Sequence, residues 1–181
     1  INAGSGNDEV YGGTGNDSVT GGAGNDTVFG DAGNDILRGG AGNDAVYGGE
    51  GDDTGFGGDG EDTVFGDAGN DTLNGNAGND VVYGGEGDDS LHGENGDDTL
   101  HGDAGADTIA GGKGSDTAYG GDGDDVIDTS NKVDPYFDNP YPGIPGAAGV
   151  TDPDPFNDRD VVYGGAGNDT IITGDDQDTV F

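Results

Sequence analysis

Aspartate recurs at one fixed place in a nine-residue unit, fourteen times in unbroken succession: Asp8, Asp17, Asp26, Asp35, Asp44, Asp53, Asp62, Asp71, Asp80, Asp89, Asp98, Asp107, Asp116 and Asp125. Past a break, Asp160, Asp169 and Asp178 hold the same place in three further units. Carboxylates serve acid–base catalysis or act as ligands for hard cations. A regular array of identical aspartates is better explained by ions than by proton transfer. The charge balance agrees, with 39 acidic residues against four basic ones and a net charge of −35. That charge makes a cation the natural partner and excludes nucleic acid and anionic membranes as direct partners. Cysteine is absent, so thiolate zinc sites and disulfides are excluded too. No metalloprotease helix motif and no serine-hydrolase elbow occurs, and the chain is not expected to be an enzyme.

The elements that position these aspartates must be unusual. Gly contributes 44 residues and hydrophobic types only 28%. Such a chain buries too little apolar surface to offset the entropy of ordering, so something besides a core must hold it if it folds. From Ala3 to Asp128 the sequence divides into fourteen nonapeptides without a gap, as in Gly21-Gly-Ala-Gly-Asn-Asp-Thr-Val-Phe29. Position four is always Gly and position six always Asp. Position two is Gly except at Asp31, Asp67, Asn76, Glu94 and Asp103. Four of those five are the non-glycine types that best tolerate positive φ, which predicts a left-handed backbone there, with mild strain at Glu94. Position eight is apolar from Val10 to Ile127, broken only by Gly55. Each unit therefore reads as a six-residue glycine turn followed by a three-residue strand with position eight inward.

A longer period lies above the first. Position nine carries a ring in every odd unit: Tyr11, Phe29, Tyr47, Phe65, Tyr83, His101 and Tyr119. In even units it is mixed: Thr20, Arg38, Phe56, Asn74, His92, Ala110 and Asp128. Two nonapeptides then make one coil, with odd and even strands in opposite sheets of a thin roll. His92 and His101 fall in opposite sheets, which argues against a shared metal or catalytic role. The ring row serves either cross-strand packing or docking of a partner. Position three is no threonine row, which argues against ice binding.

Residues 129–154 interrupt the pattern, and this stretch with its border at Pro155 holds all six prolines. Proline removes donors and blocks ladders, so the stretch reads as a loop. Counting on from residue 155, Tyr163 and Phe181 again end odd units, so the 18-residue phase survives. The expected organisation is a roll over 3–128, an insertion loop over 129–154 and a continuation of the roll over 155–181. A linker between two rolls is the alternative. The chain starts almost inside a repeat and ends at a repeat's last position, as expected of a segment of a longer protein.

The Gly-Gly-x-Gly-x-Asp unit resembles the RTX (repeats-in-toxin), hemolysin-type calcium-binding repeat of bacterial proteins exported by type I secretion. The resemblance covers nearly the whole chain apart from the interruption. It implies an all-β fold, a right-handed parallel β-roll with two repeats per coil. It also implies calcium held between units n and n+2 by both position-six aspartates and by backbone carbonyls of the two turns. Carried over, Asp8 pairs with Asp26, Asp17 with Asp35, and so on to Asp107 with Asp125. Those twelve pairs imply about twelve ions, taking the net charge from −35 to about −11. Asp169 lies in a regular unit. Asp160 follows Asp158-Arg159, and the unit of Asp178 has Thr173 and Asp176 in place of glycine, so both sit in irregular turns. Arg159 could supply positive charge in its turn.

The functional expectation is a calcium-binding structural module of a secreted or surface-attached bacterial protein (an adhesin, matrix or filament), unfolded where calcium is scarce and folded outside the cell. The alternative is the non-catalytic roll of a secreted protease, lipase or epimerase whose catalytic domain lies elsewhere. Calcium is the expected ligand. Self-association is expected laterally through Tyr11, Phe29, Tyr47, Phe65, Tyr83 and Tyr119, or end to end through open coil edges. No membrane insertion is expected.

Overall fold

A computed structural model describes residues 1–130, 159–173 and 178–181. Among them, eighteen strands, numbered in chain order, alternate between two nine-stranded sheets. The first sheet holds β1 (Asn2–Ser5), β3 (Ser18–Ala23), β5 (Ile36–Ala41), β7 (Thr54–Asp59) and β9 (Thr72–Ala77). It continues through β11 (Ser90–Asn95), β13 (Thr108–Lys113), β15 (Val126–Asp128) and β17 (Thr170–Ile172). The second holds β2 (Glu9–Thr14), β4 (Thr27–Ala32), β6 (Ala45–Glu50), β8 (Thr63–Ala68) and β10 (Val81–Glu86). It continues through β12 (Thr99–Ala104), β14 (Thr117–Asp122), β16 (Val161–Ala166) and β18 (Thr179–Val180). Each strand pairs in parallel with the strand two places on, so Val10 faces Val28 and Val19 faces Leu37. Two nonapeptides make one coil of a parallel β-solenoid, as the position-nine alternation implies.

The strands are longer than the sequence pattern suggests. Complete ones run six residues, from position seven through position three of the next unit. The turn shrinks to positions four to six. Ladder pairing uses backbone groups and needs no side chain, so it continues through glycines that carry no alternation to read. Burial shows the continuation, with Val28 and Gly30 both inward along Thr27–Ala32. The register skips position one and resumes at position two, where Gly13 faces Asp31. There the backbone is left-handed, at φ 74° for Asp31, 72° for Asp67, 81° for Asn76, 80° for Glu94 and 73° for Asp103. Glu94 takes this conformation without the local side-chain tolerance of Asn or Asp.

The core is one file of position-eight side chains, from Val10 through Leu37, Leu73, Leu91 and Ile109 to Val162, with Ile171 partly buried against it. Gly55 leaves a gap that its neighbours close, since Leu73 and Val64 each lie 3.1 Å from where its Cβ would stand. β14 pairs with β16 so that Tyr119 faces Tyr163, and β15 pairs with β17 so that Ile127 faces Ile171. The loop expected over 129–154 falls, from residue 131 on, outside the described residues.

Candidate metal centre

Each turn is positions four to six, stacked on the turn one coil away. At position four Gly33 adopts φ 132° and donates its N–H to the Glu50 carbonyl at 2.8 Å. A Cβ there would collide with the Gly15 carbonyl oxygen of the preceding coil, so only glycine lets the turns nest this closely. At position six the carbonyl is also used, as in the 2.9 Å bond from Thr54 N–H to Asp35 O.

The position-six side chains form two continuous files. Oδ1 of each accepts the backbone N–H of the aspartate one coil before, at 2.8 Å from Asp8 to Asp26 and 2.7 Å from Asp17 to Asp35. One file runs through Asp8, Asp26, Asp44, Asp62, Asp80, Asp98 and Asp116. It goes on to Asp160 and Asp178. The other runs through Asp17, Asp35, Asp53, Asp71, Asp89, Asp107 and Asp125 to Asp169. All seventeen aspartates singled out in the sequence thus lie in these two files, and Asp116–Asp160, Asp125–Asp169 and Asp160–Asp178 add three links to the twelve.

Burial then sets the electrostatics. From Asp26 to Asp125 these residues are only 0–4% exposed, and Asp160 is buried as well. Oδ2 of Asp8, and of every position-six aspartate from Asp26 to Asp125, is buried with no hydrogen-bond partner. An unpartnered buried carboxylate oxygen costs several kcal/mol unless something compensates it, on the order of magnitude for desolvated charge. Burial is the largest cause of the raised pKa values, the N–H bond from the preceding aspartate pulls the other way, and neighbouring carboxylates add to the rise. Asp53, Asp71, Asp80, Asp98 and Asp107 are pushed up to about 6, Asp62 and Asp89 to about 7, and Asp116 to about 8. Asp44 and Asp125 are raised by the same burial.

From Gly12 to Gly120, glycine at position one keeps space beside the Oδ2 of its own unit's aspartate. A Cβ on Gly57 would stand 2.5 Å from Asp62 Oδ2 and 2.7 Å from the Gly75 carbonyl oxygen of the next coil. A Cβ on Gly48 would stand 2.6 Å from Asp53 Oδ2 and 2.5 Å from the Gly66 carbonyl. Glycine thus holds open a cradle bordered by a carboxylate oxygen and a carbonyl oxygen. Among the described residues no three His, Cys, Asp or Glu side chains converge, so carbonyls would have to complete any ion's shell. A hard cation that accepts mixed carboxylate and carbonyl oxygens, as calcium does, fits this donor set.

Position five carries further hydrogen bonds from coil to coil, on both edges of the roll, that sequence reasoning passed over. Asn25 donates its N–H to Asn7 Oδ1 at 2.9 Å, Asn70 to Asp52 Oδ1 at 3.0 Å, and Asn168 to Asp124 Oδ1 at 2.9 Å. These bonds run opposite in direction to the aspartate files. The readable signal was the frequency of Asn and Asp at position five. Arg159 stands at this position and bonds through its backbone, N–H to Ser115 Oγ at 3.0 Å.

On the outer face of the second sheet, Tyr11, Phe29, Tyr47, Phe65, Tyr83, His101, Tyr119, Tyr163 and Phe181 form one stack. Ring centroids are 4.5–4.9 Å apart and planes within 13° of parallel. His92 lies on β11 of the first sheet and His101 on β12 of the second, so the two imidazoles do not meet. Burial lowers the His101 pKa, while the Asp103 carboxylate pulls it up. No described helix is long and apolar enough to cross a membrane.

A family model for the RTX calcium-binding nonapeptide repeat (4 copies) matches residues 2–37, 20–55, 29–64, 56–91, 65–100, 101–131 and 156–181. Together these cover 2–131 and 156–181. A search of curated proteins finds no match.

Proposed function

Since this chain belongs to the RTX calcium-binding nonapeptide repeat family, we propose that it folds when calcium binds outside the cell, as a structural module of a secreted or surface-attached bacterial protein. The coarser reading, a calcium-binding structural roll, follows from the family and the solenoid. The observation that carries the rest is the line of buried, unpartnered Oδ2 atoms beside glycine cradles. Two files of carboxylates at one-coil spacing repel one another along each edge of the roll. Little else opposes that repulsion, because the core is one apolar residue per nonapeptide.

The ligands we assign are Asp8, Asp17, Asp26, Asp35, Asp44, Asp53, Asp62, Asp71, Asp80, Asp89, Asp98, Asp107, Asp116 and Asp125, followed by Asp160, Asp169 and Asp178, with turn carbonyls beside them. Calcium supplies two positive charges per site and accepts six to eight hard oxygens. The chain's own part is to hold the carboxylates in register through the N–H bonds to Oδ1 and to exclude side chains at position one. Twelve pairs in the unbroken run give about twelve ions on the one-ion-per-pair reading. Ions that bind only the folded state convert binding energy into folding energy, and sites of about 10⁻⁴–10⁻³ M would leave the chain unfolded in a low-calcium cytosol.

The pairing of β14 with β16 supports reading residues 155–181 as a continuation of the same roll, with 129–154 as an insertion. Lateral self-association through the ring row has less to support it. The rings turn their faces to one another, which favours a packing role across coils.

The decisive test is far-UV circular dichroism during a calcium titration, with magnesium as control. A cooperative coil-to-β transition in calcium alone is expected. A β-rich spectrum in chelator near pH 8, or no transition by about 10 mM calcium, an upper limit set by weak extracellular sites, would overturn the folding switch.

A further inference from the structure

Among the described residues, 159–173 and 178–181 join the roll through contacts that recur from each coil to the next. Val161 N–H bonds the Asp116 carbonyl at 2.8 Å, Thr170 N–H the Asp125 carbonyl at 2.7 Å, and Gly123 N–H the Ala166 carbonyl at 2.7 Å. Asp116 and Asp125 donate to Asp160 and Asp169, Tyr119 stacks on Tyr163 at 4.8 Å, and Val162 is fully buried in the core file. Elsewhere these partners are 18 residues apart in sequence; here they are 44 apart. The interface is therefore indifferent to the covalent route that brings the segment to it.

We infer that the edge formed by β14 and β15 is a calcium-gated docking site for a nonapeptide segment, filled in this chain by its own β16 and β17 and able to take the same strands from a second copy. The exchange is a domain swap, since every bond made in the closed chain is re-made between copies. Residues 131–158 could span roughly 95 Å at full extension, at about 3.4 Å per residue, enough to reach a neighbour. At low concentration the tether favours the chain's own segment, because its effective concentration is on the order of millimolar. Calcium gates the site because docking stacks Asp160 and Asp169 on Asp116 and Asp125, whose buried Oδ2 atoms meet no donor. The inference rests on the calcium reading above.

The experiment uses the full chain with a specific protease site inserted within residues 131–158, cleaved after folding in calcium. Native mass spectrometry of unlabelled and isotope-labelled nicked protein, mixed, reads whether the C-terminal fragment stays bound and whether it changes partners. The expected result is retention in millimolar calcium, release in chelator, and about half the complexes of mixed label after calcium is restored. A second sample carries Asp160→Asn and Asp169→Asn, and is expected to lose the fragment several-fold faster. Loss of the fragment in saturating calcium, or its retention without exchange through a chelation cycle, overturns the inference. Circular dichroism of the uncut chain separates the two readings. If the uncut chain folds with calcium and the nicked fragment still departs, the docking site fails while the calcium switch stands.

Discussion

Asp62 Oδ1 accepts the backbone N–H of Asp44 at 2.8 Å, while its Oδ2, buried, meets no donor. One oxygen of the carboxylate is thus spent on register and the other is left for a ligand. Asp62→Asn keeps an oxygen for the Asp44 N–H and removes the charge from the cradle. The midpoint of the calcium-induced transition should rise several-fold, and isothermal titration should count one or two fewer ions. An unchanged stoichiometry would show that position six does not carry the ligand.

The raised carboxyl pKa values give the roll an inverted pH dependence when calcium is chelated. Asp62 sits at about 7 and Asp116 at about 8 in the fold, against an ordinary 3.8. A carboxyl whose pKa is higher folded than unfolded binds protons more readily in the fold. Its contribution is fully present below about pH 4 and is lost as pH rises through 6 to 8. In chelator, β-structure should therefore increase on acidification from pH 8 to pH 4. In calcium the trend reverses, because the ligands must be ionised, and the calcium midpoint should rise as pH falls. Circular dichroism over that range checks both; a chelated chain that loses structure on acidification contradicts the burial of these groups.

The coil was legible because position nine alternates between ring residues such as Tyr11 and Phe29 and mixed residues such as Thr20 and Arg38, and side-chain type reports sheet membership directly. The left-handed position two was legible from Asp31, Asp67, Asn76 and Asp103, which replace glycine with types that tolerate positive φ. The strand ends were not, because Gly12 and Gly13 carry no side chain whose polarity could mark a face. Neither was the direction of the hydrogen bonds. Asp and Asn at positions six and five look alike in sequence, yet Asp8 donates forward to Asp26 while Asn25 donates back to Asn7. That difference comes from how the turn aims each N–H, which the residue types do not encode.

Gly48 tests the cradle without touching a charge. A methyl group there would stand 2.6 Å from Asp53 Oδ2 and 2.5 Å from the Gly66 carbonyl, too close for either atom. Its neighbours are a packed carboxylate and backbone, so relief requires moving the coil. Gly48→Ala should raise the calcium midpoint at least as far as an Asp→Asn change in the same turn, with fewer ions bound. Gly4→Ala is the comparison for backbone strain without a clash, since its added Cβ meets nothing while φ is 108° there. Gly48 lies outside the positive-φ region, so an effect no larger than at Gly4, where strain acts without a clash, would count against the cradle.

The ring stack should matter less than the core file. Leu91 is fully buried in that file, and Leu91→Ala should cost about 2–5 kcal/mol in calcium, as large-to-small core changes do. Phe65 stacks on Tyr47 at 4.8 Å and on Tyr83 at 4.9 Å. Phe65→Ala removes two cross-coil contacts worth about 0.2–1 kcal/mol each, so roughly 0.4–2 kcal/mol in all. Denaturant titrations at fixed calcium compare the two. A Phe65→Ala loss matching that of Leu91→Ala would make the outer stack a second core. A loss near zero would leave packing unable to account for the rings and return attention to a surface partner.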